Sequence, residues 1–519
     1  MHVLVIGAGI VGVTAAFELR GRGFDVTVLE RRPGVAQEAS YANAGVVSTA
    51  YAGPWAQPGM PGKVLRGLLR SDSPVVLRPS ADPRLWRWLI RWLGECRLQR
   101  FRLNKERMQR LAEYSRSVLH ELRRRHAIDY EQTQGWLQLF RTEQDLARAQ
   151  PAIELLQEAG TPHRLLDAGG CRALEPALID PTPLAGGLHL PEEETGNCAY
   201  FARRIMELAA ADGVEFRFEM PVTGLLIEAG RVAGVATPVG RIEADAVVLA
   251  AGADSVRLLR GTGIRLPLYP VKGYSLTARI TRDEFAPGIS LMDEAFKVAI
   301  TRMGNRLRIA GTAEIGSRRL ALRDSALGTL LRVARDWFPG AAAYTQARAW
   351  VGARPMLPDG PPVLGATPVP GLYLNVGHGS TGWAMACGSA RAVAVRRSMP
   401  AWKACRAARS GLSRSRPETR IRSAEIGSRP APGRRGRCRP SSAACVAWRF
   451  RETGCCELPI ISRQPLGEAC SGVRTSSLAG IGLRPAPSRV GRRRRSCVPC
   501  AGEGACGAIV RRTFAPPRQ

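Results

Sequence analysis

The chain has 519 residues, of which 45% are apolar and 23% charged, a balance typical of a globular protein with two to four domains. Its net charge of +31 is unevenly spread: residues 1–394 hold 48 basic and 38 acidic side chains, whereas residues 395–519 hold 27 and 6. Four scattered cysteines in the first part exclude a disulfide framework there. Because no pair of them has metal-ligand spacing, we expect no metal site.

Targeting and membrane signals are weak. The chain opens on the apolar run 3–6 without a basic segment before it, which argues against a cleaved secretory signal. The longest uncharged stretch, residues 360–390, contains seven glycines and four prolines, which make it a poor membrane helix. We therefore expect no transmembrane segment, and a protein of the cytoplasm or of the cytoplasmic face of the inner membrane.

The predicted elements begin with a βαβ unit: a strand at 3–6, a helix at 12–22 and a strand at 25–30. Along the whole chain, strand-rich segments follow, and helical segments come first and last. This order of elements predicts an α/β fold with a mixed-sheet domain inserted in it. The later elements are helical patterns at 85–125 and 142–160, strand patterns at 214–218, 222–227, 231–238, 241–249, 267–280, 296–313 and 363–375, and a closing helix at 382–394.

Residues 395–519 differ from the rest of the chain. They contain 26 Arg, one Lys, no Asp and nine Cys, and they show no helix or strand period. This composition predicts a disordered tail without a core of its own. It is typical of out-of-frame translation of GC-rich DNA, the interpretation we favour. The alternative is a basic arm that binds nucleic acid or acidic lipid through charge alone; we expect no specific nucleic acid partner.

A nucleotide-binding motif follows the first strand. Residues 7–12 (GAGIVG) fit G-x-G-x-x-G, and Glu30 ends the next strand 18 residues later. Glycine backbone and a helix N-terminus bind a pyrophosphate in this arrangement, and the acidic residue accepts hydrogen bonds from ribose. A second strand that ends at residues 250–252 (AAG) favours FAD over NAD. The predicted Rossmann-like site consists of Val5, Ile6, Gly7, Ala8, Gly9, Ile10, Val11, Gly12, Glu30 and Arg31.

The βαβ unit followed by residues 40–45 (SYANAG) resembles the FAD-dependent D-amino-acid oxidase superfamily. Further stretches make the chain similar to bacterial D-amino-acid dehydrogenases of the small-subunit type, and the similarity ends near residue 394. These stretches are residues 51–59 (YAGPWAQPG), 110–115 (RLAEYS), 137–144 (LQLFRTEQ), 194–196 (ETG), 269–275 (YPVKGYS), 299–302 (AITR), 352–360 (GARPMLPDG), 375–383 (NVGHGSTGW) and 385–388 (MACG).

The resemblance implies how the domains are divided. An FAD-binding domain would comprise residues 1–84, 190–262 and 348–394, and a substrate domain residues 85–189 and 263–347, before the tail at 395–519. FAD would be bound noncovalently, which leaves Cys387 as a helix-packing residue. The additional cofactor contacts that the resemblance implies are Asn43, Ala44, Gly45, Val222, Ala251, Gly252, Gly377, His378, Gly379, Thr381 and Gly382.

The implied activity is oxidation of D-amino acids to 2-oxo acids and ammonia by hydride transfer to flavin N5, with a quinone or respiratory-chain acceptor for the electrons. Two alternatives stay open: an oxidase of glycine, sarcosine or D-amino acids that releases hydrogen peroxide, and a non-catalytic FAD-binding or lipid-docking protein. Arg354 would bind the substrate carboxylate in a bidentate fork.

Three further side chains have two interpretations each. Tyr274 and Tyr51 are candidate lids or carboxylate partners, or buried tyrosines with satisfied hydroxyls. The imidazole of His378 either tunes the flavin or only hydrogen-bonds within its turn.

Residues 85–93 (LWRWLIRWL) combine three tryptophans with two arginines. Such a set is typical of an interfacial helix against anionic lipid, so a peripheral membrane contact is one interpretation. A buried helix with snorkelling arginines is the other.

Overall fold

The computed structural model describes residues 1–67, 73–178, 181–317 and 319–395. The helices within these ranges are α1 (Ile10–Arg20), α2 (Met60–Gly67), α3 (Pro83–Glu95), α4 (Leu98–His126), α5 (Glu143–Glu158), α6 (Ala168–Leu174), α7 (Cys198–Ala211), α8 (Ser255–Leu258), α9 (Asp324–Trp337) and α10 (Gly382–Ala394). Residues 396–519 lie outside these ranges. The predictions of a disordered tail and of an out-of-frame product concern those residues.

The strands of the described ranges fall into three sheets. They are β1 (His2–Ile6), β2 (Asp25–Leu29), β3 (Val46–Val47), β4 (Val75–Leu77), β5 (Thr133–Phe140), β6 (Arg164–Asp167), β7 (Gly186–Thr195), β8 (Glu215–Arg217), β9 (Gly224–Glu228), β10 (Arg231–Thr237), β11 (Gly240–Glu243), β12 (Ala246–Leu249), β13 (Tyr269–Arg279), β14 (Ser290–Asp293), β15 (Val298–Met303), β16 (Arg306–Ile315), β17 (Arg348–Met356), β18 (Val363–Ala366) and β19 (Leu372–Val376).

The first sheet is the nucleotide-binding one. Its order is β18-β19-β12-β1-β2-β8, and β1 pairs in parallel with both β2 and β12. Four consecutive residues of β1 and of β2 are buried, as expected for parallel strands that are covered on both faces. Helices α1, α7 and α10 cover one face, and the small β9–β11 sheet packs on the other. The predicted α/β fold with a mixed-sheet insertion is confirmed.

The second large sheet carries β17-β13-β16-β15-β14-β5-β7-β3, with β4 and β6 beside β16 and β7. Side chains alternate along β13, so Tyr274 and Leu276 pack on the α9 side, whereas Tyr269 and Val271 pack against α3. The two faces of this sheet therefore have different roles, and the α3 face is the one that reaches the site described below.

Two sequence expectations differ from the structure. The single helical pattern at 85–125 is two helices, α3 and α4, which meet at Cys96 and Arg97. Strand β17, which the predicted division assigns to the FAD-binding part 348–394, pairs with β13 in the second sheet. No strand was predicted at 348–356, and its partner could not be read from periodicity, because strand pairing is a long-range choice. The domain boundaries themselves stay a prediction.

Candidate active site

The turn after β1 requires its glycines. Gly7 has φ +104°, and a Cβ at Gly12 would lie 1.8 Å from the Gly7 carbonyl oxygen, so both positions exclude a side chain. Gly9 is different, because a Cβ there would meet only Ser40 Oγ, at 3.4 Å. The open space above Gly9 is the cradle that a pyrophosphate needs at the N-terminus of α1.

Glu30 is held in place at the end of β2. Its Oε2 accepts the backbone N–H of Ala8 at 2.7 Å, and its Oε1 accepts the N–H of Arg32 at 2.9 Å. A carboxylate has about four acceptor positions, so this one can still accept ribose hydroxyls.

Most predicted cofactor residues line one cleft of about 1490 Å³, a volume above the roughly 300–1,000 Å³ of ordinary ligand pockets. Three are buried and are not among the residues that line it, namely Val5, Ala8 and Gly12. Their contact with the cofactor stays a prediction. The predicted cofactor residues that do line the cleft are Ile6, Gly7, Gly9, Ile10, Val11, Glu30, Arg31, Asn43, Ala44, Gly45, Val222, Ala251, Gly252, Gly377, His378, Gly379, Thr381 and Gly382.

Buried polar atoms in the cleft wall test whether FAD fits. The amide group of Asn375, the Oγ1 of Thr381 and the indole nitrogen of Trp383 have no hydrogen-bond partner among the described residues. All three residues line the cleft where the Gly377–Thr381 turn leads into α10. A ligand rich in hydrogen-bonding groups satisfies such atoms, and an apolar one does not. The residues present therefore fit FAD.

Arg354 lies on the α3 face of the second sheet, opposite Val271 in the register of β17 and β13. Its Nη1 donates to the Lys272 carbonyl oxygen at 2.9 Å, and its Cζ is 5.9 Å from the Trp55 ring centroid. Among the described residues no carboxylate pairs with it. Burial lowers the pKa of Arg354 to about 10, so the guanidinium is still charged at neutral pH.

Gly273 makes room for this guanidinium. A Cβ at Gly273 would lie 2.2 Å from Arg354 Nη1, so the side chain rests directly on the β13 backbone. The guanidinium is thus held in place while the rest of its donor fork is left for a ligand.

Tyr274 does not join Arg354. Its side chain leaves the opposite face of β13, where its hydroxyl donates to Glu314 Oε2 at 2.9 Å. Glu314 also pairs with Lys272 at 2.6 Å and Arg323 at 2.6 Å. Strand alternation directs the side chain to the face opposite Arg354, and its hydroxyl is satisfied there, while Tyr274 is also among the residues that line the cleft. The role of Tyr274 as a lid or carboxylate partner stays a prediction.

Tyr51 does line the cleft, beside a lysine that the sequence did not single out. Lys297 Nζ is 5.9 Å from the Tyr51 ring centroid and also forms an ion pair with Glu294. Both Lys297 and Glu294 line the cleft in the turn between β14 and β15. The lid role of Tyr51 stays a prediction.

His378 points away from solvent, into α10. Its Nε2 is 3.0 Å from Ser389 Oγ, which donates its own hydrogen to the Met385 carbonyl oxygen at 2.7 Å. Nε2 must therefore carry a proton and donate it. Burial lowers the pKa of His378 to about 3, so the imidazole is neutral and fixes the turn to the helix. Its influence on the flavin stays a prediction.

Two further residues of the site were missed. Ser40 Oγ accepts the Ile10 N–H at 3.0 Å, and the Trp55 indole donates to Ser380 Oγ at 3.0 Å. Ser40 and Trp55 lie within stretches that carry the family resemblance. That resemblance was the signal that could have identified them. Cys387 is buried in the core that α10 forms with α1.

Residues 2–396 match the family described as FAD dependent oxidoreductase. The chain belongs to this family. Its cofactor is FAD, in agreement with the fingerprint and the cleft. Among the described residues, no cluster of His, Cys, Asp and Glu could hold a metal ion, and no helix is long and apolar enough to cross a bilayer.

The chain is similar to several relatives over nearly the whole length of each relative. A D-amino acid dehydrogenase of Rhodopseudomonas palustris is 47% identical over 393 residues, which cover 75% of this chain and 92% of the relative. A D-amino acid dehydrogenase of Rhizorhabdus wittichii is 48% identical over 396 residues, which cover 76% of this chain and 95% of the relative. A solved structure of glycine oxidase from Bacillus cereus superposes with a TM-score of 0.59 at 22% identity over 76% of this chain and 93% of that one, a likeness of fold alone.

Proposed function

We propose that the chain oxidises D-amino acids to 2-oxo acids and ammonia. The observation that carries the proposal is Arg354: a partly buried, charged guanidinium in the FAD cleft that no carboxylate of the described residues neutralises. A desolvated cation without a counter-ion is costly, and a substrate carboxylate removes that cost. The similarity to curated D-amino acid dehydrogenases supports the choice of amino acid.

The residues of the chain bind and orient the substrate. Arg354 grips the carboxylate in two parallel hydrogen bonds, and its contact with the Lys272 carbonyl oxygen fixes the direction of the fork. FAD, when bound, supplies the acceptor for the hydride from Cα. With the amine neutral no side-chain base is required, and the resulting imino acid hydrolyses in water.

Anaerobic mixing with D-alanine tests this proposal. Loss of the oxidised flavin absorbance with D-alanine, and none with L-alanine, is the expected result. Bleaching by L-isomers alone, or no bleaching by any amino acid, would contradict it. Peroxide formed in air, one molecule per amino acid, would instead identify an oxidase.

The second part of the proposal concerns the acceptor, a quinone, and a peripheral contact with the membrane through α3. Asp82 caps this helix by accepting the Arg84 N–H, and its buried stripe is Leu85, Trp88 and Trp92. The opposite face leaves apolar side chains in solvent. Trp86, Ile90 and Leu93 are 52%, 69% and 51% exposed.

Exposed apolar side chains beside Arg87 and Arg91 favour an interface with anionic lipid over a purely buried helix. Sedimentation with vesicles of phosphatidylglycerol checks it. The double variant Trp86→Ser, Ile90→Ser should lose binding and keep its FAD. Exchange of Leu165 and Val239, which are 52% and 76% exposed and do not line the cleft, for serine is the matched control. Equal binding by the two variants would refute the α3 contact.

A further inference from the structure

The face of the second sheet that carries Arg354 continues across β16 and β15. Ala310 of β16 and Ala299 of β15 lie opposite each other there, and both line the cleft. Arg308 and Thr301, each two residues away on the same strands, are also opposite each other. Because side chains alternate along a strand, Arg308 and Thr301 share the face of the two alanines. They are not among the residues that line the cleft.

A loop of the cleft wall, residues 43–45, lies over this pair. Arg308 Nη1 donates to the Asn43 carbonyl oxygen at 3.0 Å, and Thr301 Oγ1 donates to the Ala44 carbonyl oxygen at 2.8 Å. Two successive carbonyl groups of the loop are thus bound by two neighbouring strands of the second sheet. All three loop residues line the cleft, so the loop separates Arg308 from the cofactor space by one layer of backbone.

Arg308 carries a buried charge without a counter-ion. The residue is 7% exposed, and its Nε has no hydrogen-bond partner among the described residues. Glu131 pairs instead with Arg306 at 2.6 Å, and no carboxylate of the described residues pairs with Arg308. Burial lowers the pKa of Arg308 to about 10, so its guanidinium is charged at neutral pH. A desolvated cation of this kind stabilises negative charge that forms near it.

The two ends of the cleft indicate which part of FAD lies near this charge. The pyrophosphate cradle is at Gly9, on the first sheet. The substrate carboxylate site is at Arg354, on the second sheet, and the Cα of a substrate bound there must meet the flavin ring. The ring therefore belongs to the end of the cleft that the second sheet forms, where residues 43–45 are held by Arg308.

We propose that Arg308 raises the reduction potential of FAD, because its charge behind residues 43–45 stabilises the negative charge that the flavin gains on reduction. The hydride from the substrate Cα brings two electrons and one proton, so the neutral ring becomes an anion. A fixed cation nearby favours this anion over the oxidised ring. Thr301 holds the same loop without a charge. Only the identity of the hydride donor rests on the proposed function.

The test measures the reduction potential of the flavin in Arg308→Met, Arg308→Lys, Thr301→Val and the control Arg279→Met, each as FAD-loaded full-length protein. Equilibrium with a reference dye during anaerobic titration with dithionite gives the potential without turnover. Arg308→Met should lower the equilibrium constant for reduction about tenfold, which is about 30 mV for a two-electron couple. Arg308→Lys should restore most of the potential.

The other two variants separate charge from loop position. Thr301→Val removes a hydrogen bond to the loop and no charge, and its equilibrium constant should stay within about twofold of the parent value. Arg279→Met removes one positive charge at the exposed end of β13, where solvent and salt screen it, and the constant should likewise stay within about twofold.

An unchanged potential in Arg308→Met, with FAD still bound, would overturn the proposal. An equal fall in Thr301→Val would also overturn it, because the cause would then be the position of the loop. The fluorescence of released flavin gives the Kd for FAD. A raised Kd in Arg308→Met with an unchanged potential would assign the charge to the pyrophosphate instead and refute the proposal.

A second variant covers a failure of Arg308→Met to fold. Arg308→Gln keeps a donor for the Asn43 carbonyl oxygen and removes the charge, so it should give the same fall in potential; an unchanged value would refute the proposal. The choice of dithionite keeps this test apart from the proposed function. If D-alanine does not bleach the parent protein, the proposed function fails, whereas the potentials still decide the role of Arg308.

Discussion

Replacing Arg354 with lysine keeps the positive charge and removes the planar fork. In the parent protein one arm of the guanidinium donates to the Lys272 carbonyl oxygen at 2.9 Å, and the others can face a ligand. A lysine ammonium is a compact donor that cannot hold the backbone and grip both carboxylate oxygens in one plane. One charge-assisted hydrogen bond to the substrate is then lost, worth about 1.5–3 kcal/mol. The KM for D-alanine should rise about 10- to 100-fold.

Steady-state rates with an artificial dye as acceptor measure this KM, and the absorbance ratio of protein to flavin checks FAD content, which should barely change. Gly273→Ala is an independent probe, because the added Cβ would lie 2.2 Å from Arg354 Nη1 and must displace it. Gly328→Ala, on an exposed turn of α9 with nothing within 4 Å, is its control. If Arg354→Lys and Gly273→Ala both leave KM unchanged, the carboxylate is bound elsewhere.

Three further changes give results that separate cofactor binding, pH dependence and stability. Gly9→Val should abolish FAD retention while the apoprotein still folds, because a side chain there meets only Ser40 Oγ and otherwise fills the cradle; retained FAD would refute this. His378 has a folded pKa of about 3 against about 6.5 unfolded, so its contribution to stability is complete above pH 6.5 and is lost as pH falls towards 3. Through His378, the free energy of unfolding changes by at most about 1.4 kcal/mol per pH unit. In His378→Gln, denaturant titrations should show a smaller loss of the free energy of unfolding between pH 6.5 and pH 3. Glu314→Gln leaves the buried ammonium of Lys272 without its carboxylate, so the free energy of unfolding should fall by about 3–5 kcal/mol; a change below 1 kcal/mol would contradict this.

A matched control exists for Glu314→Gln. Glu228→Gln removes the partner of Arg241 in a pair whose side chains are both more than half exposed, and the free energy of unfolding should change little.

The sequence was most informative where chemistry and local spacing coincide. The turn at Gly7 and Gly12, the placement of Glu30 and the bounds of α10 follow from neighbours within about thirty residues. The face of β13 on which Tyr274 lies could not be predicted, because only the pairing of β13 with β17 decides which face carries Arg354.

The central position of β1 in its sheet has a consequence for how the protein is made. One edge of β1 pairs with β2, which leaves the ribosome soon after it, but the other edge pairs with β12. At about 5–20 residues per second, β12 is synthesised roughly 12–50 s later. During that interval the nascent chain carries an apolar strand with an open edge, a ready target for chaperones and for misassembly. The nucleotide cradle at Gly9 is complete only when α10 has also emerged and packed on α1. We therefore expect FAD capture to begin only after residue 394 has been synthesised.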